Sequence, residues 1–301
     1  MAAAGSAASA RILTFGPARE GIPDSPGSFD VGADGQVWVN DPVNDQVVEW
    51  CPSHAARVCT RCPAQGGGIC RVLRTPSVPL DIAVGRRGVL YVNTYVAGHE
   101  PRGAVDAFSA TGRFLWSAPT GRWSNTDLLR IGPGGRPWLV DLDGVWRPVT
   151  DIHLRPLSAA RQQRLARTAQ PLSGGRSVRV RSSTRFTIAS SSGRAILDAT
   201  VRCAVPSGFA TPMTLVPSTG DLVVILSSCT TVSGRTRSLT RVIDLSPTGR
   251  LIGQVALDPF ACSGECVTAV RLGEDGHLYE LQTSPHWGVR VVRYTLRGTV
   301  R

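Results

Sequence analysis

The sequence contains no lysine, so all 33 of its basic Lys/Arg-type side chains are arginines. It has only two methionines, and aromatic residues make up 6% of the chain. It also lacks any apolar stretch near the ~20 residues that a membrane-spanning helix needs, so no membrane span is expected. A coding genome rich in G and C explains the replacement of lysine by arginine without any function.

Acidic residues number 22, which leaves a formal net charge of +11. A charge of this size suits an anionic partner, such as nucleic acid, anionic lipid or an acidic wall polymer. The arginines are scattered, however, with clusters only near 161–194 and 235–241. Because no basic arm or base-stacking motif accompanies them, nucleic acid is disfavoured. A protein or an anionic surface polymer is the expected partner.

The remaining composition indicates a globular chain made of short elements. Hydrophobic residues make up 42%, enough for a substantial core, and 32 glycines with 21 prolines indicate many turns. A chain of 301 residues can form one closed all-β domain. We expect residues 11–301 to form this domain. Residues 1–10, rich in small residues, are either a disordered tail or the remnant of a signal peptide.

A repeating pattern of strand, glycine turn and strand predicts the fold. The turn glycines are spaced by 53, 47, 85 and 56 residues: Gly35, Gly88, Gly135, Gly220 and Gly276. The wide gap leaves room for a degenerate unit, for which 177–203 fits. Units of roughly 40–50 residues with four short strands each are typical of β-propellers. We therefore predict an all-β, six-bladed β-propeller.

Three further features complete this prediction. The last unit supplies only three strands, so the strand at 11–16 is predicted to be its fourth and to close the ring, pairing the last open edge. Residues 157–170 contain helix formers and predict a short helical insertion. Aromatic residues recur at equivalent second-strand positions and are predicted to pack between blades: Trp38, Tyr91, Trp138 and Tyr279.

The segment FDVGADGQVWVNDPVNDQVVEW resembles an NHL repeat. Asp34-Gly35 matches the turn of that repeat, Asp41 its aspartate and Asn44 its asparagine, while Gln46 stands where the repeat usually has arginine. The resemblance implies a six-bladed propeller of the NHL and gluconolactonase-like superfamily. It implies no activity, because propellers of this group include both enzymes and binding platforms.

Propeller sites lie in the central channel, which the first strand of each blade lines. Polar residues at or just before these strands are the candidate ligand-binding residues: Asp24, Ser28, Asp81, Asn125, Asp127 and Thr268. The other interpretation of these residues is that they are hydrogen-bonded caps of turns and strands.

The resemblance also implies an alternative in which the channel holds a divalent metal. Gluconolactonase-like enzymes hold theirs with a Glu, an Asn and an Asp on separate blades. Here Asp81, Asn125 and Asp127 would be the ligands, and oxygen ligands suit calcium. The first inner strand lacks the glutamate, which argues against a straightforward lactonase. No pair of histidines has the spacing of a local zinc motif, and outside the calcium alternative no cofactor is expected.

Four of the eight cysteines lie within 51–70, with the spacing C-x7-C-x2-C-x7-C. Disulfides, a zinc site and a redox motif all remain open for this segment. Zinc sites built from four cysteines usually contain two close pairs, and a redox motif would need a βαβ context, so disulfides are favoured. The disulfide candidates are Cys51, Cys59, Cys62, Cys70, Cys203, Cys229, Cys262 and Cys266.

An even set of cysteines indicates an oxidising compartment, so we expect an extracellular or cell-envelope protein, secreted by a bacterium. Two functions remain. The first is a non-catalytic propeller that binds a protein or surface polymer through one face of the ring. The second is a metal-dependent hydrolase or lyase of the gluconolactonase-like type with a channel site.

Overall fold

The structure is a computed structural model, and it describes residues 26–33, 35–51, 68–96, 102–122, 128–141, 143–182, 185–200, 209–215, 222–232, 235–246, 248, 250–257, 270–273, 276–284 and 288–296. In this part of the chain, strands form six antiparallel sheets that follow one another in sequence. Within each sheet, neighbouring strands are also consecutive in the chain, so every sheet is a simple meander.

The first three sheets occupy the N-terminal half. Sheet 1 contains β1 (Phe29–Val31), β2 (Val37–Asp41), β3 (Gln46–Cys51) and β4 (Gly68–Arg74). Sheet 2 contains β5 (Val78–Val84), β6 (Leu90–Val96), β7 (Arg102–Phe108) and β8 (Phe114–Arg122). Sheet 3 contains β9 (Leu128–Ile131), β10 (Pro137–Val140) and β11 (Trp146–Pro148).

The C-terminal half contains the single described α-helix and the other three sheets. The helix is α1 (Ala159–Arg164). Sheet 4 contains β12 (Gln170–Pro171), β13 (Ser177–Ser182), β14 (Arg185–Ala189) and β15 (Ala195–Thr200). Sheet 5 contains β16 (Phe209–Leu215), β17 (Leu222–Val232), β18 (Arg235–Leu245) and β19 (Leu251–Ala256). Sheet 6 contains β20 (Val270–Leu272), β21 (Leu278–Ser284) and β22 (Gly288–Tyr294).

The first turn of each sheet explains why glycine recurs in the sequence. In sheet 3, Gly135 has a φ of +78°, in the left-handed region that side chains rarely adopt. Gly132 has an ordinary φ, but its surroundings exclude a side chain for another reason. A Cβ atom there would lie 2.6 Å from the indole of Trp138, and the equivalent Gly85 would meet the ring of Tyr91 at 2.7 Å. The glycines therefore let the second-strand aromatic residue pack down on the turn.

Hydrophobic clusters lie between consecutive sheets. They join sheet 1 to sheet 2, sheet 2 to sheet 3, sheet 4 to sheet 5 and sheet 5 to sheet 6. A further cluster joins Phe29 and Trp50 of sheet 1 to Tyr279 and Val291 of sheet 6. The first turns of sheets 3 and 4 also contact each other. Removal of these apolar surfaces from water is the main stabilising contribution to such an arrangement.

The NHL-like residues form the network that their chemistry requires. Asp41 is fully buried, and its Oδ2 accepts a hydrogen bond from Asn44 Nδ2 at 2.8 Å and another from Gln46 Nε2 at 2.8 Å. Gln46 therefore supplies an N–H donor where the repeat usually has an arginine. One amide is a smaller donor set than a guanidinium, and Oδ1 of Asp41 is buried without a hydrogen-bond partner among the described residues.

The prediction of an all-β chain is confirmed, and four of the predicted turn glycines lie between the first and second strands of a sheet: Gly35, Gly88, Gly135 and Gly276. The degenerate unit at 177–203 corresponds to sheet 4, which begins earlier, at Gln170. Its first turn has Gly175 at a φ of +72°. The helix predicted within 157–170 is a single short one, α1. It stands where sheet 3 would have a fourth strand, and a single bridge pairs Trp146 with Arg167 instead.

The second-strand aromatic residues are buried, and Trp38, Tyr91, Trp138 and Tyr279 are all at most 3% exposed. The N-terminal strand expected at 11–16 lies outside the described residues. Among the described helices, none has the length and apolar character needed to cross a membrane.

Candidate functional site

The carboxyl group of Asp81 is the meeting point of four sheets. Asp81 lies in β5, the first strand of sheet 2, and is 2% exposed. The pairing of β5 with β6 shifts register between Pro79 and Asp81, and such an irregularity redirects the following side chain. Asp81 thereby points towards the first strands of the neighbouring sheets.

Each oxygen of Asp81 accepts hydrogen bonds from more than one donor. Oδ1 accepts one from the hydroxyl of Ser28, which precedes β1, and one from Nη2 of Arg271 in β20 at 3.1 Å. Oδ2 accepts one from the backbone N–H of Leu129 at 2.6 Å and one from Nη1 of Arg130 at 3.1 Å, both in β9. Asp81 thus connects sheet 2 to sheets 1, 3 and 6 through polar contacts.

A second carboxylate, Asp30 in β1, lies beside Arg271. Its Oδ1 is 3.9 Å from Nε of Arg271, and its Oδ2 accepts a hydrogen bond from the backbone N–H of Val84 at 2.6 Å. Burial raises the pKa of Asp30 above its ordinary value of 3.8, and the charge of Arg271 and the backbone donors offset this only in part. The ionised form of Asp30 is therefore less favourable in the fold than in water, because burial leaves it poorly solvated.

The two arginines are mostly buried and lie close enough to affect each other. Burial and the charge of Arg271 lower the pKa of Arg130 to about 10, while the charges of Asp81 and Asp30 act in the opposite direction. Arg271 also lies over the ring of Phe29, 5.9 Å from its centroid, in a cation–π arrangement. When Asp30, Asp81, Arg130 and Arg271 are all ionised, the two negative charges of the carboxylates balance the two positive charges of the guanidinium groups. We call Ser28, Asp30, Asp81, Arg130 and Arg271 the central cluster.

Sequence reasoning identified two members of this cluster and missed three. Asp81 and Ser28 were candidate channel residues, and the structure brings them into contact. Asp30, Arg130 and Arg271 were not predicted. The sequence does contain a signal for them. Each stands two residues before the first of the glycines in the first turn of its unit, and these glycines are Gly32, Gly132 and Gly273. Alignment of the units on these glycines would reveal one acidic and two basic side chains at the same position.

The other candidate channel residues, Asp24, Asn125, Asp127 and Thr268, lie outside the described residues, so their predicted roles stay predictions. Among the described residues, no group of three or more His, Cys, Asp or Glu side chains is arranged to hold a metal ion.

Asp81 fits poorly as the calcium ligand of the alternative hypothesis. Both of its oxygens already accept hydrogen bonds, and a guanidinium nitrogen lies 3.1 Å from each of them. A calcium ion would have to lie at 2.3–2.6 Å from a ligand oxygen, close to two positive charges. Coulomb repulsion in a buried site makes that arrangement costly. The chemistry that the described cluster supports is charge neutralisation and cross-linking of the sheets.

Two cysteines of the cysteine-rich segment lie in described strands of sheet 1. Cys51 ends β3 and Cys70 lies in β4, and in the pairing of these strands Cys51 is opposite Gly68. Residues 52–67, which separate these two strands in the chain, lie outside the described residues. Cys229 lies in β17, whereas Cys59, Cys62, Cys203, Cys262 and Cys266 belong to segments that the structure does not describe. The disulfides remain a prediction.

Comparison with solved structures identifies the fold. The catalytically inactive virginiamycin B lyase of Staphylococcus aureus, solved with quinupristin, matches with a TM-score of 0.51 at 11% identity over 96% of this chain and 98% of the other. A streptogramin B lyase structure matches with a TM-score of 0.48 at 10% identity over 95% and 96% of the two chains. The periplasmic gluconolactonase PpgL of Pseudomonas aeruginosa matches with a TM-score of 0.44 at 14% identity over 92% and 88%.

No family model matches the chain. No curated protein matches its sequence either. At this level of identity the structural likeness shows the fold alone. The predicted resemblance to the NHL and gluconolactonase-like β-propellers is thus confirmed for the fold.

Proposed function

We propose that the six sheets are the blades of a ring that closes between sheet 6 and sheet 1. The cluster that joins Phe29 and Trp50 to Tyr279 and Val291 supports this closure, as does the bond from Arg271 in β20 to Asp81. Sheet 6 has three described strands, and the segment 11–16 would be its fourth.

Removal of residues 1–16 should then lower the unfolding temperature clearly, and removal of residues 1–10 should not. Equal unfolding temperatures would contradict closure by this segment.

For the activity, we propose a secreted, non-catalytic β-propeller that binds a protein or a surface polymer through one face of the ring. The observation that carries this proposal is the state of Asp81, the one described residue of the predicted metal site. Both of its carboxylate oxygens are used in contacts between sheets. A carboxylate committed in this way stabilises the ring and leaves little basis for a catalytic metal at that position.

The competing proposal is a metal-dependent hydrolase or lyase with Asp81, Asn125 and Asp127 around a channel metal. It would require Asp81 to break its contact with Arg130 or with Arg271 when the metal binds. Metal binding would then cost bonds of the central cluster and lower the affinity for calcium, but any calcium that binds the folded chain would still raise its unfolding temperature.

Metal analysis of the purified protein separates these proposals. We expect far less than one calcium or zinc per chain after dialysis, and an unfolding temperature that does not change when calcium or a chelator is added. About one metal ion per chain, lost in Asp127→Ala, would overturn the non-catalytic proposal. Retention of a macromolecular partner in the presence of chelator would count against the enzyme.

The compartment is testable through the cysteines. Protein recovered from an oxidising compartment should show few free thiols when it is denatured and alkylated without a reductant. Treatment with a reductant should then expose all eight thiols. Eight free thiols in the unreduced protein, or zinc released on thiol modification, would contradict the disulfide prediction and support the zinc alternative.

A further inference from the structure

In each four-stranded sheet, two turns lie at the same end of the strands. In an antiparallel meander, the first-to-second and third-to-fourth connections share one end, and the second-to-third connection lies at the other. The structure shows this adjacency in sheet 4, where a Cβ atom at Gly175 of the first turn would lie 3.0 Å from Cβ of Ser191 in the last turn. Across sheets, the side chain of Arg86 packs against Gly135. We call this side of the molecule the turn face.

A turn of the same build follows the third strand in sheets 2, 3, 4 and 5, and in sheets 2, 4 and 5 it leads into the fourth strand. It spans 109–113 (SATGR), 151–155 (DIHLR), 190–194 (SSSGR) and 246–250 (SPTGR). In each, the N–H of the first residue bonds to the carbonyl of the fifth, at 2.8, 2.9, 2.8 and 2.8 Å. The side-chain oxygen of the first residue also accepts a hydrogen bond from the N–H of the fifth, at 3.1, 2.9, 3.1 and 3.0 Å.

The fifth residue is an arginine in all four turns: Arg113, Arg155, Arg194 and Arg250. The turn uses only its backbone N–H and carbonyl groups, so the turn geometry does not account for the guanidinium group. All four side chains are exposed. Four sheets therefore each present an arginine to solvent at the same structural position.

The first turns add positive charge to the same face. Arg86 and Arg87 lie in the first turn of sheet 2, Arg136 in that of sheet 3 and Arg176 beside that of sheet 4. Within the described residues of these turns, the single acidic residue is Asp151, whose Oδ1 accepts the backbone N–H of His153 at 2.8 Å and that of Arg155 at 2.9 Å. The acidic residues of the remaining first turns lie outside the described residues: Asp34, Asp221, Glu274 and Asp275. The positive charge of the described turns thus lies on sheets 2 to 5, and most of it on sheets 2 to 4.

The distribution of these groups indicates the kind of ligand. The four exposed arginines lie on four different sheets, so a small anion would meet only one of them, whereas a chain with repeated negative charges would meet several. None of these turn segments contains a Trp, Tyr or Phe, so the stacking platform of a single-stranded nucleic-acid site is absent from them. Exposed hydroxyl pairs accompany the arginines, such as Ser109 with Thr111 at 2.8 Å and Ser246 with Thr248 at 2.9 Å.

We propose that the turn face binds a linear acidic polysaccharide, with the arginines meeting its carboxylate or other anionic groups and the serine and threonine hydroxyls meeting its hydroxyls. This inference rests on the proposed function, because it names the face and the polymer class for a propeller that binds a surface polymer. Arginine suits the task, since its planar guanidinium group pairs with both oxygens of a carboxylate.

The test compares two variants that remove the same charge from different sides. Arg113→Gln/Arg194→Gln removes two arginines of the turn face. Arg74→Gln/Arg102→Gln removes two exposed arginines at the opposite strand ends, since Arg74 ends β4 and Arg102 begins β7. The probes are polygalacturonate, neutral dextran of similar length, and single-stranded DNA, each measured by titration against the intact chain.

We expect the intact chain to bind polygalacturonate and not dextran, with binding that weakens as salt is added. The turn-face variant should bind roughly five- to tenfold more weakly, because each exposed ion pair contributes modestly, and the opposite-side variant should stay within about twofold. Equal losses in both variants would overturn the assignment of the face. Tighter binding of DNA than of polygalacturonate, or no polygalacturonate binding, would overturn the polysaccharide. Neither result affects the metal analysis that decides the proposed function.

Discussion

Nη2 of Arg271 donates a hydrogen bond to Oδ1 of Asp81 at 3.1 Å, although 190 positions separate the two residues in the chain. Arg271 lies in the first strand of sheet 6 and Asp81 in the first strand of sheet 2. The same carboxylate also binds Ser28 and Arg130, which belong to sheets 1 and 3. One buried carboxyl group therefore makes polar contacts with the first strands of sheets 3 and 6 and with Ser28, directly before the first strand of sheet 1.

Replacement of Asp81 should destabilise the fold severely. Asp81→Asn keeps the size of the side chain but removes the charge that compensates Arg130 and Arg271, and loss of one partner of a buried ion pair costs about 3–5 kcal/mol. Urea denaturation would measure the loss. Asp198→Asn is the matched control, because it breaks the exposed pair with Arg185 and should change the free energy of unfolding little. Equal effects of the two substitutions would contradict a central role for Asp81.

Asp30 should make stability depend on pH in a predictable direction. Its pKa in the folded state lies above the ordinary 3.8, so the folded protein binds this proton more tightly than the unfolded chain. The free energy of unfolding contributed by Asp30 therefore falls as pH rises from about 3.8 through the folded-state pKa. Relative to Asp30→Asn, the unaltered protein should lose stability between pH 4 and pH 7. A relative stability that grows over this range would refute the prediction.

Gln46→Glu should test the network that replaces the NHL arginine. It would place a second carboxylate beside Asp41, where Gln46 now donates at 2.8 Å. Two adjacent buried carboxylates cannot both ionise readily, so we expect a loss of about 1–3 kcal/mol or more at pH 7 and partial recovery at pH 5. Gln46→Met removes the donor without adding charge, and its loss should not vary between these pH values. Denaturation of both variants at each pH makes the comparison.

Gly132→Ala should destabilise sheet 3 for a purely steric reason. The φ of Gly132 is −101°, which alanine adopts without strain, but the new Cβ would lie 2.6 Å from the indole of Trp138. Overpacking of this kind costs about 1–3 kcal/mol. In the double variant Gly132→Ala/Trp138→Leu, the alanine should add much less to the loss than it does alone. Additive effects in this cycle would show that the indole is not the obstacle.

Local features of the chain were predictable because their causes are local. Glycine spacing predicted the turns, since a left-handed φ at Gly35, Gly88, Gly135 and Gly276 favours glycine whatever surrounds it. The second-strand aromatic residues follow from the same spacing, because each stands six residues after the first glycine of its turn. The pairing of Asn44 and Gln46 with Asp41 spans at most five residues, so a short motif was enough to indicate it.

The central cluster was only partly predictable. Asp81 and Ser28 were recognised as polar residues near first strands, with ligand binding and hydrogen-bonded capping as the two interpretations, and neither interpretation specified a contact between sheets. Arg130 and Arg271 lie in strands whose other residues are apolar, LLRI and VRL, and a strand pattern does not reveal which sheet a side chain will face. Their partner is on another sheet, so no spacing within either strand could identify it.

The sequence by itself determined the sheets, their order and their turns, because hydrogen-bonding patterns and backbone conformations act over a few residues. The tertiary structure alone decided that Asp81 meets Arg130 and Arg271, because that contact exists only when the first strands of distant units converge. It also decided that the four turn arginines are all exposed to solvent. Burial of these charged groups costs free energy. The two carboxylates and the two guanidinium groups offset that cost for one another only where separate sheets bring them together.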